Sequence, residues 1–410
     1  MKAVQKALYS FACVAALAQV ANATSMTPPP PDVAARSYFL KDFYSNQTLA
    51  SKAADDRVEP ASLTKLMTAY LTFKAIKQGT IKIDQVIPVS EKAWRAEGSR
   101  MFIDLKTPVT VNELIQGMII QSGNDACIAL AEAIAGSEDV FAQMMNREAQ
   151  RLGMKGTHFM NSTGLPHPQH YTTAADLATL AVAIVRDYPE YFPIYSKKEY
   201  TYNKITQPNR NGLLWKDPNV DGMKTGHTES AGYCLVATSR REGRRVMSVV
   251  LGTSSANVRE SESAKLLNYG LQFFDTPKVY SRNQSLQTLK VWKGQAEDVK
   301  IGFNRDLYLS VPKGQAGNIK ATLTTQQPLI APVSAGQAVG KVKLELNGQP
   351  LGEYPVVALA TVQQAGFFGR SWDSVRLMFK EQPGAAGGSR RYDEALRPSS
   401  RKAKSCQNQP

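Results

Sequence analysis

The spacing of apolar residues changes at Thr276-Pro277, and this change limits the possible folds more than any other feature of the sequence. Between residues 35 and 275, segments with helical periodicity alternate with strand-like segments. Between residues 276 and 365, short strand-like segments are separated by turn signals such as Asn347-Gly348. A chain of 410 residues is also too long for one ordinary hydrophobic core. The sequence therefore predicts an α/β (α+β) domain over residues 35–275 and a small all-β sandwich domain over residues 276–365.

The first 23 residues have the pattern of a secretory signal peptide. Two early lysines precede a mostly apolar segment that ends at Val20, and Ala21-Asn22-Ala23 supplies the small residues that a signal peptidase recognises. A buried N-terminal helix is the alternative, but the run of four prolines that follows favours a processed, extended start. We therefore expect an exported protein in which residues 24–34 form a Pro-rich linker.

Residues 366–380 form an amphipathic segment. On a helix, Phe368, Trp372, Val375 and Phe379 share one face, and basic residues lie elsewhere. A helix docked on a core is one interpretation, but the aromatic and basic residues favour anchoring at a membrane surface. No run of roughly 18 uninterrupted apolar residues occurs, so an ordinary transmembrane helix is not expected. Residues 381–410 lack apolar periodicity and are predicted to be a disordered tail.

The charge balance of the sequence limits the classes of partner that the protein is expected to bind. The sequence has 49 Lys and Arg against 35 Asp and Glu, a formal net charge of +14. Such an excess suits nucleic acid, a membrane surface or an acidic polymer. Export argues against nucleic acid, and most of the excess lies between the predicted signal peptide and the predicted tail. A membrane surface and an acidic polymer are therefore the expected partners.

Four cysteines in this length exclude a disulfide-dense scaffold. Cys127 and Cys234 lie in apolar surroundings, where a free cysteine is often a small buried apolar residue. An oxidising compartment would permit a disulfide between them, but we expect two free thiols.

The most informative segment for chemistry is Pro60-Ala61-Ser62-Leu63-Thr64-Lys65, at the start of a predicted helix. Positions i and i+3 share a helix face, so the Lys65 amine can reach the Ser62 hydroxyl. Serine becomes a good nucleophile when a base takes its proton, and lysine can be that base if its pKa falls. The helix N-terminus and a second cation nearby are expected to disfavour the ammonium form. Alone this pattern is weak, because Ser399 and Lys402 also match it.

Two further elements strengthen the prediction. Ser122 and Asn124 open a predicted loop after an apolar stretch. Lys224, Thr225 and Gly226 form the one Lys-Thr-Gly of the chain and lead into a predicted strand. The Ser-x-Asn pattern is uninformative in isolation, because it also occurs at Ser255 and Ser281, and the information lies in the order of the three elements along the chain.

This ordered set resembles the three motifs of serine penicillin-recognising enzymes. The flanking residues 59–68, 122–126, 209–215 and 221–228 are similar to low-molecular-mass penicillin-binding proteins that act as D-alanyl-D-alanine carboxypeptidases. The resemblance covers about residues 35–380. It implies a β-lactamase/transpeptidase-like catalytic domain, a second all-β domain and a C-terminal anchor at the periplasmic face of a bacterial inner membrane.

The resemblance and the chemistry imply the same catalytic roles. Ser62 would attack the carbonyl between the two terminal D-alanines of a peptidoglycan stem peptide, with Lys65 as its base. Ser122 would pass a proton to the departing amine, and the backbone N–H groups of Ser62 and His227 would form the oxyanion hole. β-Lactams would acylate the same serine, and no metal or other cofactor would be required.

The remaining site residues would hold the substrate. The Asn124 amide would bind the peptide backbone, Lys224 would supply positive charge and Thr225 would donate to the terminal carboxylate. Gly226 would let the substrate approach the strand closely. By the resemblance alone, two arginines are assigned to the carboxylate-binding region, with surface salt bridges as the alternative; they are Arg210 and Arg259.

Two other functions are disfavoured by the motifs, and two more stay open as alternatives. A metallopeptidase would need a His-Glu-x-x-His pattern that the four histidines do not form. A β-lactamase would need neither a second domain nor an anchor, and class A enzymes carry Ser-Asp-Asn as the middle motif. A D,D-endopeptidase acting on peptide cross-links would share the nucleophile. A non-catalytic peptidoglycan-binding scaffold would not need the catalytic residues.

Overall fold

The computed structural model describes residues 27–378. The predicted signal peptide and tail lie outside the described residues. The first domain is mixed α/β and contains nine strands and eight helices among those residues. The strands are β1 (Ser37–Asp42), β2 (Thr48–Lys52), β3 (Val86–Ile87), β4 (Val109–Thr110), β5 (Glu199–Tyr202), β6 (Ile205–Pro208), β7 (Val220–Thr228), β8 (Gly232–Arg241) and β9 (Arg244–Thr253). The helices are α1 (Lys65–Lys77), α2 (Glu91–Trp94), α3 (Val111–Gln116), α4 (Asn124–Ala135), α5 (Glu138–Leu152), α6 (Ala174–Asp187), α7 (Leu213–Lys216) and α8 (Ala256–Phe273).

An antiparallel sheet in the order β2-β1-β9-β8-β7 divides this domain into two layers. Side chains alternate between its faces, as the pleat requires. On β8, Cys234 and Val236 join the large core that also contains apolar residues of α1, α4 and α6. Leu235 and Ala237 face the opposite way and join the smaller core beneath α8. The sheet is therefore covered on both faces, and β7 forms one edge.

The second domain is a β-sandwich with its own apolar core. Its strands are β10 (Phe274–Asp275), β11 (Lys278–Tyr280), β12 (Ser285–Trp292), β13 (Asp298–Gly302), β14 (Leu307–Tyr308), β15 (Val311–Pro312), β16 (Ile319–Thr325), β17 (Leu329–Ile330), β18 (Ala338–Leu346) and β19 (Gln349–Ala358). The main sheet has the order β16-β18-β19-β13-β12-β17. A helix, α9 (Phe367–Met378), follows the last strand, and among residues 27–378 no helix combines the length and apolar character needed to cross a membrane.

Polar side chains join the two domains. Asp42, fully buried at the end of β1, accepts a hydrogen bond of 2.6 Å from the Thr276 hydroxyl and pairs with Arg244 at 3.3 Å. The hydroxyl groups of Ser45 and Ser310 lie 2.7 Å apart. The second domain is thus connected to the first at the end of β1 that carries the β1–β2 turn.

Two local predictions need correction. The Lys-Thr-Gly motif lies within its own strand, β7, rather than leading into the next one, because its polar residues hide the strand pattern. Asn124 is the first residue of α4 and not part of a loop. A π-helical turn at Gly117–Gln121 separates α3 from Ser122, which has a left-handed φ of 64°. Cys127 and Cys234 are both free thiols, as expected.

Candidate active site

Ser62 lies on a 3₁₀ turn, Ala61–Thr64, immediately before α1. Ala61 has a φ of +48°, which is uncommon for a residue other than glycine. The turn packs against Gly164, where an added Cβ would lie 1.8 Å from the Ala61 carbonyl oxygen. Because Gly164 also has a φ of +90°, no other residue fits there without moving the turn. The absence of a side chain at Gly164 thus allows the turn that carries Ser62 to pack in its observed position.

Lys65, the first residue of α1, reaches back to Ser62 as the spacing predicts. Its Nζ lies 2.9 Å from Ser62 Oγ and 2.5 Å from the Thr163 carbonyl oxygen. The side chain is 1% exposed. Burial, together with the positive charge of Arg210, lowers the pKa of Lys65 to about 8. The expected second cation is therefore present, but burial, which was not predicted, is the larger cause of the lowered pKa.

A second lysine lies opposite the first. Lys224 Nζ donates to Ser122 Oγ and to the Thr225 carbonyl oxygen, each at 3.0 Å. Burial shifts the pKa of Lys224 well below its usual value, and the charges of Lys65 and Arg210 act in the same direction. Each serine of the site therefore contacts a different lysine, and the charge of Lys65 disfavours the protonated form of Lys224.

Asn124 and Asp125 hold the segment that precedes α3 beside the site. Asn124 Nδ2 donates to the Glu97 carbonyl oxygen at 2.6 Å. The buried Asp125 carboxylate accepts hydrogen bonds from the N–H groups of Met101, Phe102 and Ile103. Asp125 was not predicted, although it follows Asn124 directly. It positions the backbone around the site without reaching the nucleophile turn.

Strand β7 runs along the nucleophile turn. Thr225 is buried, and an added Cβ at Gly226 would lie 3.2 Å from the Pro60 carbonyl oxygen and 3.3 Å from Ala61 Cβ. The nucleophile turn therefore packs closely against Gly226. His227 is exposed, and its ring centroid lies 4.0 Å from that of Tyr233 on β8.

The two arginines assigned by resemblance lie together. Arg259, on α8, is buried and donates to the Arg210 carbonyl oxygen at 3.2 Å. Its guanidinium carbon lies 5.7 Å from the Tyr233 ring centroid, and burial lowers its pKa. Neither arginine forms a salt bridge with residues 27–378, so their alternative role in surface salt bridges is not supported there. Arg210 is exposed.

The residues that shape the site through the backbone could not be predicted from the sequence, above all Thr163 and Gly164. They lie in Asn161-Ser162-Thr163-Gly164, far from the motifs in sequence, and Gly164 carried no signal beyond being a glycine. Among the described residues, no cluster of three or more His, Cys, Asp or Glu side chains could hold a metal ion. The assembled groups are suited to nucleophilic attack by a serine with a lysine base.

The comparisons with known proteins agree with this geometry. A family model described as D-alanyl-D-alanine carboxypeptidase, peptidase S11, matches residues 23–255. A second model, the C-terminal domain of penicillin-binding protein 5, matches residues 274–364.

Relatives extend the match over most of the chain. D-alanyl-D-alanine carboxypeptidase DacC of Escherichia coli K12 is 42% identical over 89% of this chain and 93% of its own. DacA of Haemophilus influenzae is 40% identical over 91% of this chain and 96% of its own. The crystal structure of penicillin-binding protein 5 from Haemophilus influenzae superposes with a TM-score of 0.80 at 41% identity, covering 82% of this chain and 100% of that one. A chain that matches this family in sequence, in both domains and in three-dimensional structure belongs to the D-alanyl-D-alanine carboxypeptidases of peptidase family S11.

Proposed function

We propose that the protein removes the terminal D-alanine from peptidoglycan pentapeptide stems through an acyl-enzyme on Ser62, and so limits cross-linking. The observation that carries this proposal is the distance of 2.9 Å between Lys65 Nζ and Ser62 Oγ, with the lysine buried and its pKa near 8. At pH 7 about one lysine in ten with such a pKa is neutral, compared with fewer than one in a thousand for a free lysine. Lys65 is therefore able to act as a base.

In the acylation step, Ser62 Oγ attacks the carbonyl of the penultimate D-alanine while its proton passes to the Lys65 amine. The N–H groups of Ser62 and His227 stabilise the oxyanion, an effect worth about 2.7–4 kcal/mol per donor in other enzymes. The C–N bond then breaks, and the amine of the terminal D-alanine receives a proton through Ser122. The 3.0 Å contact between Lys224 and Ser122 supports this relay.

The other site residues orient the substrate. Thr225 donates to the terminal carboxylate, with Arg210 and Arg259 supplying positive charge nearby, and Asn124 holds the peptide backbone. Water then attacks the ester carbonyl, which releases the shortened stem and returns the proton to Ser62. No metal or other cofactor takes part in these steps.

β-Lactams are proposed to acylate Ser62 as well. The structures of penicillin-binding protein D2 from Listeria monocytogenes in ampicillin-bound and cefotaxime-bound forms support this, because they align with this chain at 30% identity with TM-scores of 0.55 and 0.56. They cover 60% of this chain and 100% of their own.

Digestion of a purified pentapeptide muropeptide tests the activity. The wild type should release free D-alanine and the Ser62→Ala variant should not, because the acyl-enzyme needs the hydroxyl. Absence of D-alanine release by a folded wild type that also fails to react with fluorescent penicillin would refute the proposal. Cleavage of cross-linked dimers without release of D-alanine would favour the endopeptidase alternative.

We further propose that the protein is exported and that α9 anchors it to the periplasmic face of the inner membrane. On α9, Phe367 is 70% and Trp372 is 62% exposed, which is unusual for large apolar side chains. The Arg376 guanidinium lies 5.6 Å from the Trp372 ring centroid, so a cation flanks the apolar surface.

Truncation before Gly366 tests the anchor. The truncated protein should move from the membrane fraction to the soluble fraction and keep its activity on soluble muropeptides. Membrane retention equal to that of the full chain would contradict the anchoring role of this segment.

A further inference from the structure

An open cleft of about 720 Å³ adjoins the active site. It lies between the segment that leads into the nucleophile turn, the loop after Gly164 and the end of β7. Its polar lining consists chiefly of Arg36, Arg57, Glu59, His167, Tyr171 and Ser230. None of these residues belongs to the three motifs, and the proposed mechanism assigns none of them a role.

Glu59 connects the cleft to the catalytic residues. It precedes Ser62 by three residues and accepts hydrogen bonds from the hydroxyl groups of Thr228 and Ser230. These two residues follow His227 on the other side of the site. The wall of the cleft is therefore continuous with both the nucleophile turn and the proposed oxyanion hole.

The direction of the substrate leads into this cleft, an argument that rests on the proposed function. The terminal carboxylate lies at Thr225 and the attacked carbonyl lies at His227, so the peptide runs from its C-terminus towards its N-terminus along β7. Continuing past His227 leads to Thr228 and Ser230. Two further residues of an extended peptide span about 6.6 Å. The D-alanine that carries the attacked carbonyl is counted as the first residue. The third residue of the stem, counted from there towards the N-terminus, therefore reaches the cleft.

The cleft has an excess of positive charge, because its lining contains two arginines and one carboxylate. Arg36 and Arg57 are both exposed, and neither forms an ion pair with any carboxylate in residues 27–378. The Arg57 guanidinium carbon lies 4.3 Å from the Tyr171 ring centroid, which holds the side chain over the cleft. The one carboxylate of the lining, Glu59, already accepts two hydroxyl donors.

From this arrangement we propose that the cleft is a subsite for a carboxylate on the third residue of the stem, counted back from the attacked carbonyl. Arg36 and Arg57 bind it, because guanidinium groups pair with carboxylates through charge-assisted hydrogen bonds. An amidated residue at the same position lacks the charge and binds more weakly. The enzyme therefore distinguishes acidic from amidated stems.

Two matched peptides test the subsite. They are L-Ala-γ-D-Glu-L-Lys-D-Ala-D-Ala with a free glutamate α-carboxylate and the same peptide with that group as a carboxamide. The wild type should prefer the free acid by about tenfold in kcat/KM, the size of one charge-assisted pair, and the preference should decrease with added salt. In the Arg36→Gln/Arg57→Gln variant the ratio should approach one, and Arg57→Glu should reverse it.

Arg305→Gln is the matched control, since Arg305 is exposed on the second domain and its ratio should equal that of the wild type. Equal ratios in the wild type and the double variant would refute the subsite. Diacetyl-L-Lys-D-Ala-D-Ala, which lacks the third residue, separates the two proposals. If the wild type releases D-alanine from it, the proposed function stands whatever the ratio shows. If the wild type releases none from any of the three peptides, the proposed function fails as well.

Discussion

The two domains differ in what they bury. The first domain buries charged side chains, among them Lys65, Asp125, Lys224 and Arg259. In the second domain, Ser310 is the one buried polar side chain among the described residues, and it lies at the contact with the first domain. Burying charge costs free energy, and the second domain shows that this chain can build a core without it. Several other buried charges of the first domain form ion pairs, whereas Lys65 and Lys224 form none with residues 27–378, so these two lysines indicate where the chemistry takes place.

The largest expected effect follows from removing one of these charges. Lys65→Met keeps the apolar length of the side chain and removes the base, so acylation should slow by about 10²–10⁴-fold. The midpoint of thermal unfolding should stay constant or rise, because a buried amine no longer has to be desolvated. Second-order labelling by fluorescent penicillin and calorimetry measure the two effects.

Lys77→Met is the control for this variant, because Lys77 is exposed on the same helix. It should keep the wild-type labelling rate. A Lys65→Met protein that unfolds at a lower temperature would show that the buried lysine stabilises the fold. The difference in buried charge between the two domains would then no longer indicate where catalysis takes place.

A cavity in the second domain should separate stability from activity. Leu344 on β18 is fully buried, and Leu344→Ala should destabilise that domain by about 2–5 kcal/mol. D-alanine release should remain at the wild-type rate at 25 °C. Leu66→Ala, at an equally buried position beside Lys65, should lower both stability and activity. Equal loss of activity in both variants would mean that the domains unfold as one unit.

The pH profile gives the smallest of the three effects. Acylation needs the neutral form of Lys65, and this form increases as the pH rises through the pKa of about 8. The acylation rate constant should therefore increase about tenfold between pH 7 and pH 9. A rate that is flat or falls over this range would exclude Lys65 as the base.

Much of this architecture could be predicted because it depends on local patterns. The change at Thr276-Pro277 predicted two domains, and the i, i+3 spacing predicted the contact between Ser62 and Lys65. The burial that lowers the pKa of Lys65 could not be predicted, because it depends on Thr163, which lies 98 residues away in sequence. The strand that carries Lys224 was also missed, since its polar residues serve the site rather than the core.

The contact between Ala61 and Gly164 has a consequence for mutational tolerance. A saturation scan of this chain should find intolerant positions of two kinds around Ser62. Some positions, such as Lys65, are intolerant because the side chain takes part in catalysis. Gly164 is intolerant because any side chain at all would occupy the space of the Ala61 carbonyl. A single substitution at Gly164 is therefore not expected to give a drug-resistant variant with a reshaped nucleophile turn. Gly164 itself takes no part in the chemistry.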